Sequence, residues 1–204
     1  EVFYTAYLNI FLEADQTPGE RVVVHAGASG VGTAAIQLCR HFGSPVYATA
    51  SAPKLDVLRD LGVAAAIDRK NESFLDRIKE ATEDGGVDII LDPVGANYLE
   101  DNIELLRSRG RLVVIGLLSG TAGELNLARL LRSRLRVIGS VLRSRSLDEK
   151  LDITRRFRDQ VWPLFDSGEI GPMIYETLPV EKANEAHQLL RNNETIGKVV
   201  LEIP

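Results

Sequence analysis

The segment from Arg21 to Gly32 constrains the fold of this chain more than any other part of its sequence. Its letters, RVVVHAGASGVG, join a β-branched run to three closely spaced glycines, and an apolar pattern of helical period begins at once. A β-branched run is typical of a buried parallel strand, and glycines let backbone amides approach a phosphate at the positive end of the following helix. The segment therefore predicts a strand–turn–helix unit that holds a dinucleotide.

The glycines follow the spacing G-x-x-G-x-G rather than G-x-G-x-x-G. A glycine cluster alone also fits a tight strand-to-helix turn in another kind of α/β protein. The neighbouring residues favour the dinucleotide interpretation, because the predicted helix 30–42 carries one apolar stripe and a second strand is predicted at residues 46–50. Together these elements form a βαβ unit, whose crossover is right-handed in nearly all proteins.

Strand and helix patterns alternate through the first two thirds of the chain. This alternation predicts an α/β fold, a doubly wound Rossmann sheet of six parallel strands with helices on both faces. The predicted strands are 21–26, 46–50, 64–68, 87–92, 112–115 and 135–140. The predicted helices are 3–12, 30–42, 53–61, 73–82, 98–106 and 127–132.

The pattern changes after residue 140. Ser146 and Glu149 form a capping-box sequence, which predicts a helix from there to about residue 167 with a kink at Pro163. The tail, with a strand at 175–179, a helix at 180–191 and a strand at 198–203, is not expected to continue the βα pattern of the sheet. We expect residues 1–172 to form the dinucleotide-binding domain and residues 173–204 to belong to a second, incomplete domain.

The composition is that of an ordinary globular protein, with 45% hydrophobic and 26% charged residues among 204. A net charge of −5 argues against a nucleic-acid partner. The single cysteine excludes an internal disulfide, no apolar run of about 18 residues predicts a membrane span, and no signal peptide is visible. We therefore expect a cytoplasmic protein with neither a membrane nor a nucleic-acid partner. The first residue is not methionine, so we also expect a fragment of a longer protein.

The end of the second predicted strand indicates which dinucleotide is bound. In NAD sites an Asp or Glu about 20 residues after the glycines binds the ribose 2′-hydroxyl, but residues 48–54, ATASAPK, contain no carboxylate. Ser51 can donate a hydrogen bond to a 2′-phosphate, and Lys54 and Arg69 can supply positive charge. Each of the two cations alone fits an ordinary solvated side chain as well, but Ser51, Lys54 and Arg69 together at strand ends on the ligand side favour NADPH.

Other chemistries find little support in the sequence. No tyrosine is followed by a lysine four residues later, which disfavours a short-chain dehydrogenase, and Gly32 is not followed by the Lys-Ser/Thr of a Walker loop. Cys39 lies on the apolar helix stripe and the three histidines are scattered, so we expect no zinc site. We predict no catalytic side chain, because in hydride transfer from a nicotinamide cofactor the cofactor itself supplies the chemistry.

Several segments together resemble one known family. Residues 25–38, HAGASGVGTAAIQL, are similar to the cofactor fingerprint of the zinc-free quinone oxidoreductases, which are relatives of zeta-crystallin in the medium-chain dehydrogenase/reductase superfamily. The similarity extends over essentially the whole chain, and the branch it most resembles is that of the tumour-suppressor-inducible quinone oxidoreductases. Further matching segments are ILDPVG at 90–95, IGL at 115–117, LRSR at 142–145 and IGKVVLE at 196–202.

The resemblance implies an NADPH-dependent reductase of quinones or similar α,β-unsaturated carbonyls. It implies a homodimer that pairs through the edge strand 135–140, where apolar residues alternate suitably. It also implies an N-terminal GroES-like catalytic domain, which this chain lacks and which the tail from about residue 174 would help to complete. We therefore expect the chain to bind cofactor better than it turns over substrate.

The sequence is also compatible with two other functions. An enoyl or alkenal reductase of the same superfamily would share this cofactor domain and differ in the substrate pocket. A non-catalytic protein would hold NADPH without oxidising it.

The resemblance also implies cofactor contacts by position. Ser29, Gly30 and Val31 match positions along the pyrophosphate, and Ser51 and Lys54 match contacts with the 2′-phosphate.

Arg69 departs from the family pattern, in which many members have a tyrosine at this position. Its guanidinium would either add charge beside the phosphate or point to solvent. The other implied contacts, some of them flanking the nicotinamide, are Tyr7, Ile115, Gly116, Leu117, Ser140, Val141, Leu142 and Asn193.

Overall fold

A computed structural model describes residues 1–203 of the chain. Within these residues, eight strands form two sheets. The strands are β1 (Val22–Val24), β2 (Val46–Ala50), β3 (Ala65–Asp68), β4 (Val87–Asp92), β5 (Leu106–Val114), β6 (Arg136–Gly139), β7 (Ile174–Pro179) and β8 (Lys198–Glu202). The helices are α1 (Val2–Tyr7), α2 (Gly30–His41), α3 (Leu55–Asp60), α4 (Phe74–Ala81), α5 (Leu99–Leu105), α6 (Leu127–Ser133), α7 (Leu147–Gln160), α8 (Trp162–Asp166) and α9 (Ala183–Arg191).

The larger sheet has the strand order β3-β2-β1-β4-β5-β6, and every neighbouring pair is parallel. The predicted doubly wound fold is therefore confirmed. The order reverses between β1 and β4, and in such sheets ligands bind in the crevice outside the carboxyl ends of the strands at this point.

The two faces of this sheet are buried by different helices. Val22 and Val24 belong to one hydrophobic cluster and Val23 to the other, because successive side chains of a strand point to opposite faces. The first cluster includes residues of α1, α2 and α7, and the second includes residues of α4 and α5. Burial on both faces explains why the central strands are almost purely apolar.

The first strand ends earlier than the sequence predicts. It stops at Val24 instead of residue 26, because the chain already turns at Ala26, whose φ is +52°. The fifth strand begins earlier, at Leu106 instead of residue 112, and its pairing with β4 is irregular near Val87. The first predicted helix continues beyond α1 as a π-helical segment, Leu8–Glu13.

The long helix predicted for residues 146–167 is two helices. The capping box is present, since the Glu149 N–H donates to Ser146 Oγ and the Ser146 N–H donates to the Glu149 carboxylate. The helix breaks at Val161 rather than kinking at Pro163, and Pro163 lies in the first turn of α8. Proline is tolerated in a first turn, where no intrahelical N–H bond is required.

The tail forms a small sheet of its own. Strands β7 and β8 are parallel and joined by α9, so the predicted strand, helix and strand of the tail are present and lie in a sheet separate from the six-stranded one. Its loop before β8 reaches the glycine turn, where the Gly197 N–H donates to Ala28 O at an N–O distance of 2.8 Å. The domain boundary at residue 172 stays a prediction.

Candidate functional site

The turn between β1 and α2 is tight enough to require glycine at two positions. A Cβ on Gly27 would lie 2.9 Å from Ala48 Cβ, and one on Gly32 would lie 2.5 Å from the carbonyl oxygen of Ala26. Ser29 caps α2, since its Oγ accepts the Gly32 N–H at 3.0 Å. The remaining amide groups of the first turn lie at the positive end of the helix dipole, which suits an anion.

A buried polar network supports this turn from below. His25 Nε2 lies 2.8 Å from Asn102 Oδ1 and therefore donates, which leaves Nδ1 to accept the Thr49 hydroxyl at 3.1 Å. The Ala26 N–H donates to Thr49 Oγ1, and Asn102 Nδ2 donates to Asp92 Oδ2. The network thus joins the carboxyl ends of β1, β2 and β4 to α5 and includes the backbone N–H of Ala26, whose conformation is left-handed.

Burial shifts the proton affinity of two members of this network. It lowers the pKa of His25 to about 4, so the ring is neutral at neutral pH. It raises the pKa of the Asp92 carboxyl, and the hydrogen bonds that Asp92 accepts from Val94, Gly95 and Asn102 oppose that rise.

A cleft of about 480 Å³ opens at the carboxyl ends of the strands, directly in front of the glycine turn. Three basic side chains line it, Lys54, Arg69 and Lys198, and no Asp or Glu of the described residues does. Six of the predicted cofactor contacts come together here: Ser29, Gly30, Ser51, Lys54, Arg69 and Asn193. Residues about 165 positions apart in the sequence thus share one cationic cleft.

Lys54 is the best-positioned cation of the cleft. Its side chain is largely buried, and Nζ donates to Asn193 Oδ1 at 2.9 Å and to the Thr195 carbonyl at 2.8 Å. Burial, and to a smaller extent the neighbouring Arg69 guanidinium, lowers the pKa of Lys54. Ser51 lies next to this group, with its Oγ 3.5 Å from Asn193 Nδ2.

A smaller hollow of about 290 Å³ lies next to the cleft, and Ser29 belongs to both. Two more predicted contacts, Val31 and Ile115, line this hollow together with His25 and Pro93. The predicted contacts are therefore distributed along the glycine turn, on both sides of Ser29.

The other predicted contacts line neither cavity. Tyr7 is buried against α7, where its hydroxyl donates to Gln160 Oε1 at 2.7 Å. Gly116 packs against the Pro93 backbone. The remaining four lie after β5 and β6: Leu117 and Val141 are exposed, Leu142 is half-buried and Ser140 is buried.

The structure adds lining residues that the sequence did not indicate. Tyr98 lines the cleft, with its ring packed edge-on against His25 at 4.7 Å between centroids. Thr195 and Lys198 come from the tail. The motif IGKVVLE already contained Lys198, but its position near the turn depends on how the tail folds back.

Metal-binding clusters and membrane-spanning helices are absent from residues 1–203. Within that range no group of three or more His, Cys, Asp or Glu side chains could hold a metal ion. None of the helices there is both long and apolar enough to cross a bilayer.

Comparison with known proteins places these features in a family. Residues 30–157 match the family described as zinc-binding dehydrogenase. The synaptic vesicle membrane protein VAT-1 homolog of Rattus norvegicus is 33% identical over 98% of this chain and 53% of its own length. The quinone oxidoreductase-like protein 2 homolog of Nematostella vectensis is 28% identical over 97% of this chain and 54% of its own length.

Solved structures agree with the fold. An NAD-dependent alcohol dehydrogenase superposes with a TM-score of 0.86 and 31% identity, over 100% of this chain and 57% of that one. The JamJ enoyl reductase superposes with a TM-score of 0.84 and 30% identity, over 99% of this chain and 60% of that one. The chain spans about half the length of the two curated relatives named above.

Proposed function

The chain belongs to the zinc-binding dehydrogenase family of the medium-chain dehydrogenase/reductase superfamily, and on that basis we propose that it is the cofactor-binding part of an NADPH-dependent reductase. The proposed substrates are quinones or related α,β-unsaturated carbonyls, as the resemblance to the zinc-free quinone oxidoreductases implies. The similarity to a quinone oxidoreductase-like protein supports this substrate class.

The charge of the cleft carries the assignment of NADPH. A 2′-phosphate adds negative charge to the adenosine ribose, and a carboxylate at this position would repel it. The cleft presents Lys54, Arg69 and Lys198 and no acidic side chain among its lining residues. Each charge-assisted hydrogen bond contributes about 1.5–3 kcal/mol, enough for a tenfold or larger preference.

The shape of the site fits a dinucleotide. The glycine turn brings backbone amides to the cleft without an intervening Cβ, and the cleft volume lies within the range of about 300–1,000 Å³ that is usual for ligand sites. The nicotinamide cofactor, when bound, supplies the hydride chemistry. The protein's part is to hold the pyrophosphate at Ser29 and Gly30, to hold the 2′-phosphate at Ser51 and Lys54, and to orient the reactive ring.

Parallel calorimetric titrations with NADPH and NADH test this proposal. We expect the chain to prefer NADPH, and Lys54→Ala to weaken NADPH by about tenfold or more while leaving NADH unchanged. Lys70→Ala serves as the matched control, because it removes an exposed lysine that follows Arg69 in the sequence but does not line the cleft. An equal loss for both nucleotides in Lys54→Ala would contradict the assignment, and binding of neither by the unmodified chain would contradict the whole proposal.

An enoyl or alkenal reductase is the second candidate, favoured by the similarity to the JamJ enoyl reductase. It would share the cofactor domain, so only turnover separates the two. We would supply the full-length protein with NADPH and either a quinone or an enoyl thioester. If the protein oxidises NADPH with the thioester but not with the quinone, the second candidate is favoured. If it oxidises NADPH with neither substrate, a non-catalytic NADPH-binding role is favoured.

Pairing of two copies through β6 is part of the proposal. This strand lies at the edge of the sheet, and Val137 is exposed there. An uncovered edge strand offers free backbone groups to a second copy.

A further inference from the structure

We propose that Asn193, from the C-terminal segment, is a positioning residue that sets the preference for NADPH by holding the Lys54 ammonium in place. This inference rests on the proposed function and deepens it. It assigns the discrimination between the two nucleotides to a contact between the tail and the sheet, rather than to the end of β2 alone.

Asn193 contacts both groups that are predicted to meet the 2′-phosphate. Its Oδ1 accepts from Lys54 Nζ at 2.9 Å, and its Nδ2 lies 3.5 Å from Ser51 Oγ. Ser51 and Lys54 follow β2, whereas Asn193 follows α9, so a single amide spans two separate parts of the chain. An amide group can do this because it offers an acceptor on one side and a donor on the other.

The geometry leaves Lys54 ready to bind an anion. An ammonium has three N–H donors, and Asn193 Oδ1 and the Thr195 carbonyl accept two of them. The third remains for the cleft that Lys54 lines. Lysine has a long flexible side chain, so an unanchored ammonium would lose more conformational entropy on binding a phosphate than an anchored one does.

Asn193 stands in a backbone conformation that suits asparagine. Its φ is +54°, a left-handed value that asparagine and glycine tolerate better than other residues do. This allows a clean test, because Asn193→Gly removes the side-chain amide without adding backbone strain. An alanine at this position would combine the loss of the amide with strain.

The test measures affinities for NADPH and NADH by calorimetry in four forms of the chain: unmodified, Asn193→Gly, Lys54→Ala and the double variant. We expect Asn193→Gly to weaken NADPH about three- to tenfold with NADH unchanged, less than Lys54→Ala does because the Thr195 carbonyl still holds Lys54. In the Lys54→Ala background, Asn193→Gly should leave the ratio of the NADPH affinity to the NADH affinity unchanged, since its effect passes through Lys54.

The matched control is Asn192→Ala. Asn192 is the exposed neighbour, its Nδ2 donates to Glu194 Oε1, and its φ of −76° accepts alanine. The Asn192→Ala variant should have the same ratio of NADPH to NADH affinity as the unmodified chain. Thermal unfolding of all variants measures any general loss of stability, which would weaken both nucleotides alike.

The outcomes separate the two proposals. If the unmodified chain prefers NADPH and Asn193→Gly keeps that preference, the positioning role is wrong and the proposed function stands. If Asn193→Gly lowers the affinity for NADPH by the same factor in the unmodified chain and in Lys54→Ala, Asn193 contacts the nucleotide directly. That result also overturns the positioning role. No preference in the unmodified chain would overturn the proposed cofactor and this inference together.

Discussion

At the scale of single residues, the glycine turn depends on the absence of one carbon atom. We expect Gly32→Ala to destabilise the chain by about 1–3 kcal/mol, because its Cβ would meet backbone atoms of Ala26 and Gly27 that cannot rotate away. Chemical denaturation measures the change. Gly171→Ala is the control, since a Cβ there meets nothing within 4 Å. Equal stabilities of the two variants would show that the turn can open.

The residues of the cleft were only partly predictable from the sequence. Ser51 and Lys54 follow directly from the end of a predicted strand, because all parallel strands end at the same edge of the sheet. Tyr98 and Thr195 carry no comparable signal. Their positions depend on the loop after β4 and on the returning tail, whose paths are set by packing and not by local sequence.

At the scale of elements, the start of α7 is encoded locally. Ser146→Ala removes the side-chain acceptor for the Glu149 N–H, and we expect it to lower the free energy of unfolding by about 1 kcal/mol. Ser144→Ala, which alters an exposed serine before the helix, should change little. Far-UV circular dichroism during urea unfolding gives both values. A loss of equal size in both variants would argue against the cap.

Element boundaries that depend on tertiary contacts were harder to predict. The apolar pattern of residues 3–12 predicts a helix, but it does not distinguish an α-helix from the π-helical segment that follows Tyr7. The early start of β5 likewise needs its partner strand, since Leu106 is recruited by pairing with Val87.

At the scale of the whole molecule, the buried network under the turn makes stability depend on pH. The unfolded chain takes up a proton on His25 near pH 6.5, whereas the folded chain does so only near pH 4. The unfolded state binds more protons between these values, so the free energy of unfolding falls as the pH falls through this window. The expected loss is roughly 3 kcal/mol at 1.36 kcal/mol per pKa unit.

Denaturation curves at several pH values between 4 and 7 would measure this dependence. His25→Asn should be less stable at pH 7 and should have a flatter pH profile than the unmodified chain. His187→Gln changes an exposed histidine of α9 and should keep the original slope. The same slope in the unmodified chain and in His25→Asn would show that His25 does not titrate as we expect.

The sequence by itself determined the strand–helix alternation, the six-stranded parallel sheet and the cationic character of the cleft at the carboxyl ends of the strands. These features follow from short-range patterns: β-branched runs, glycine spacing, a capping box and the absence of a carboxylate after β2. The tertiary structure alone decided that Asn193 holds Lys54, that Lys198 lies over Gly30 and that His25 is neutral beneath the turn. Each of these depends on residues far apart in the chain. The first two require the tail to fold back onto the sheet, and the third requires Asn102 and Tyr98 to pack against His25, where burial removes the ring from water.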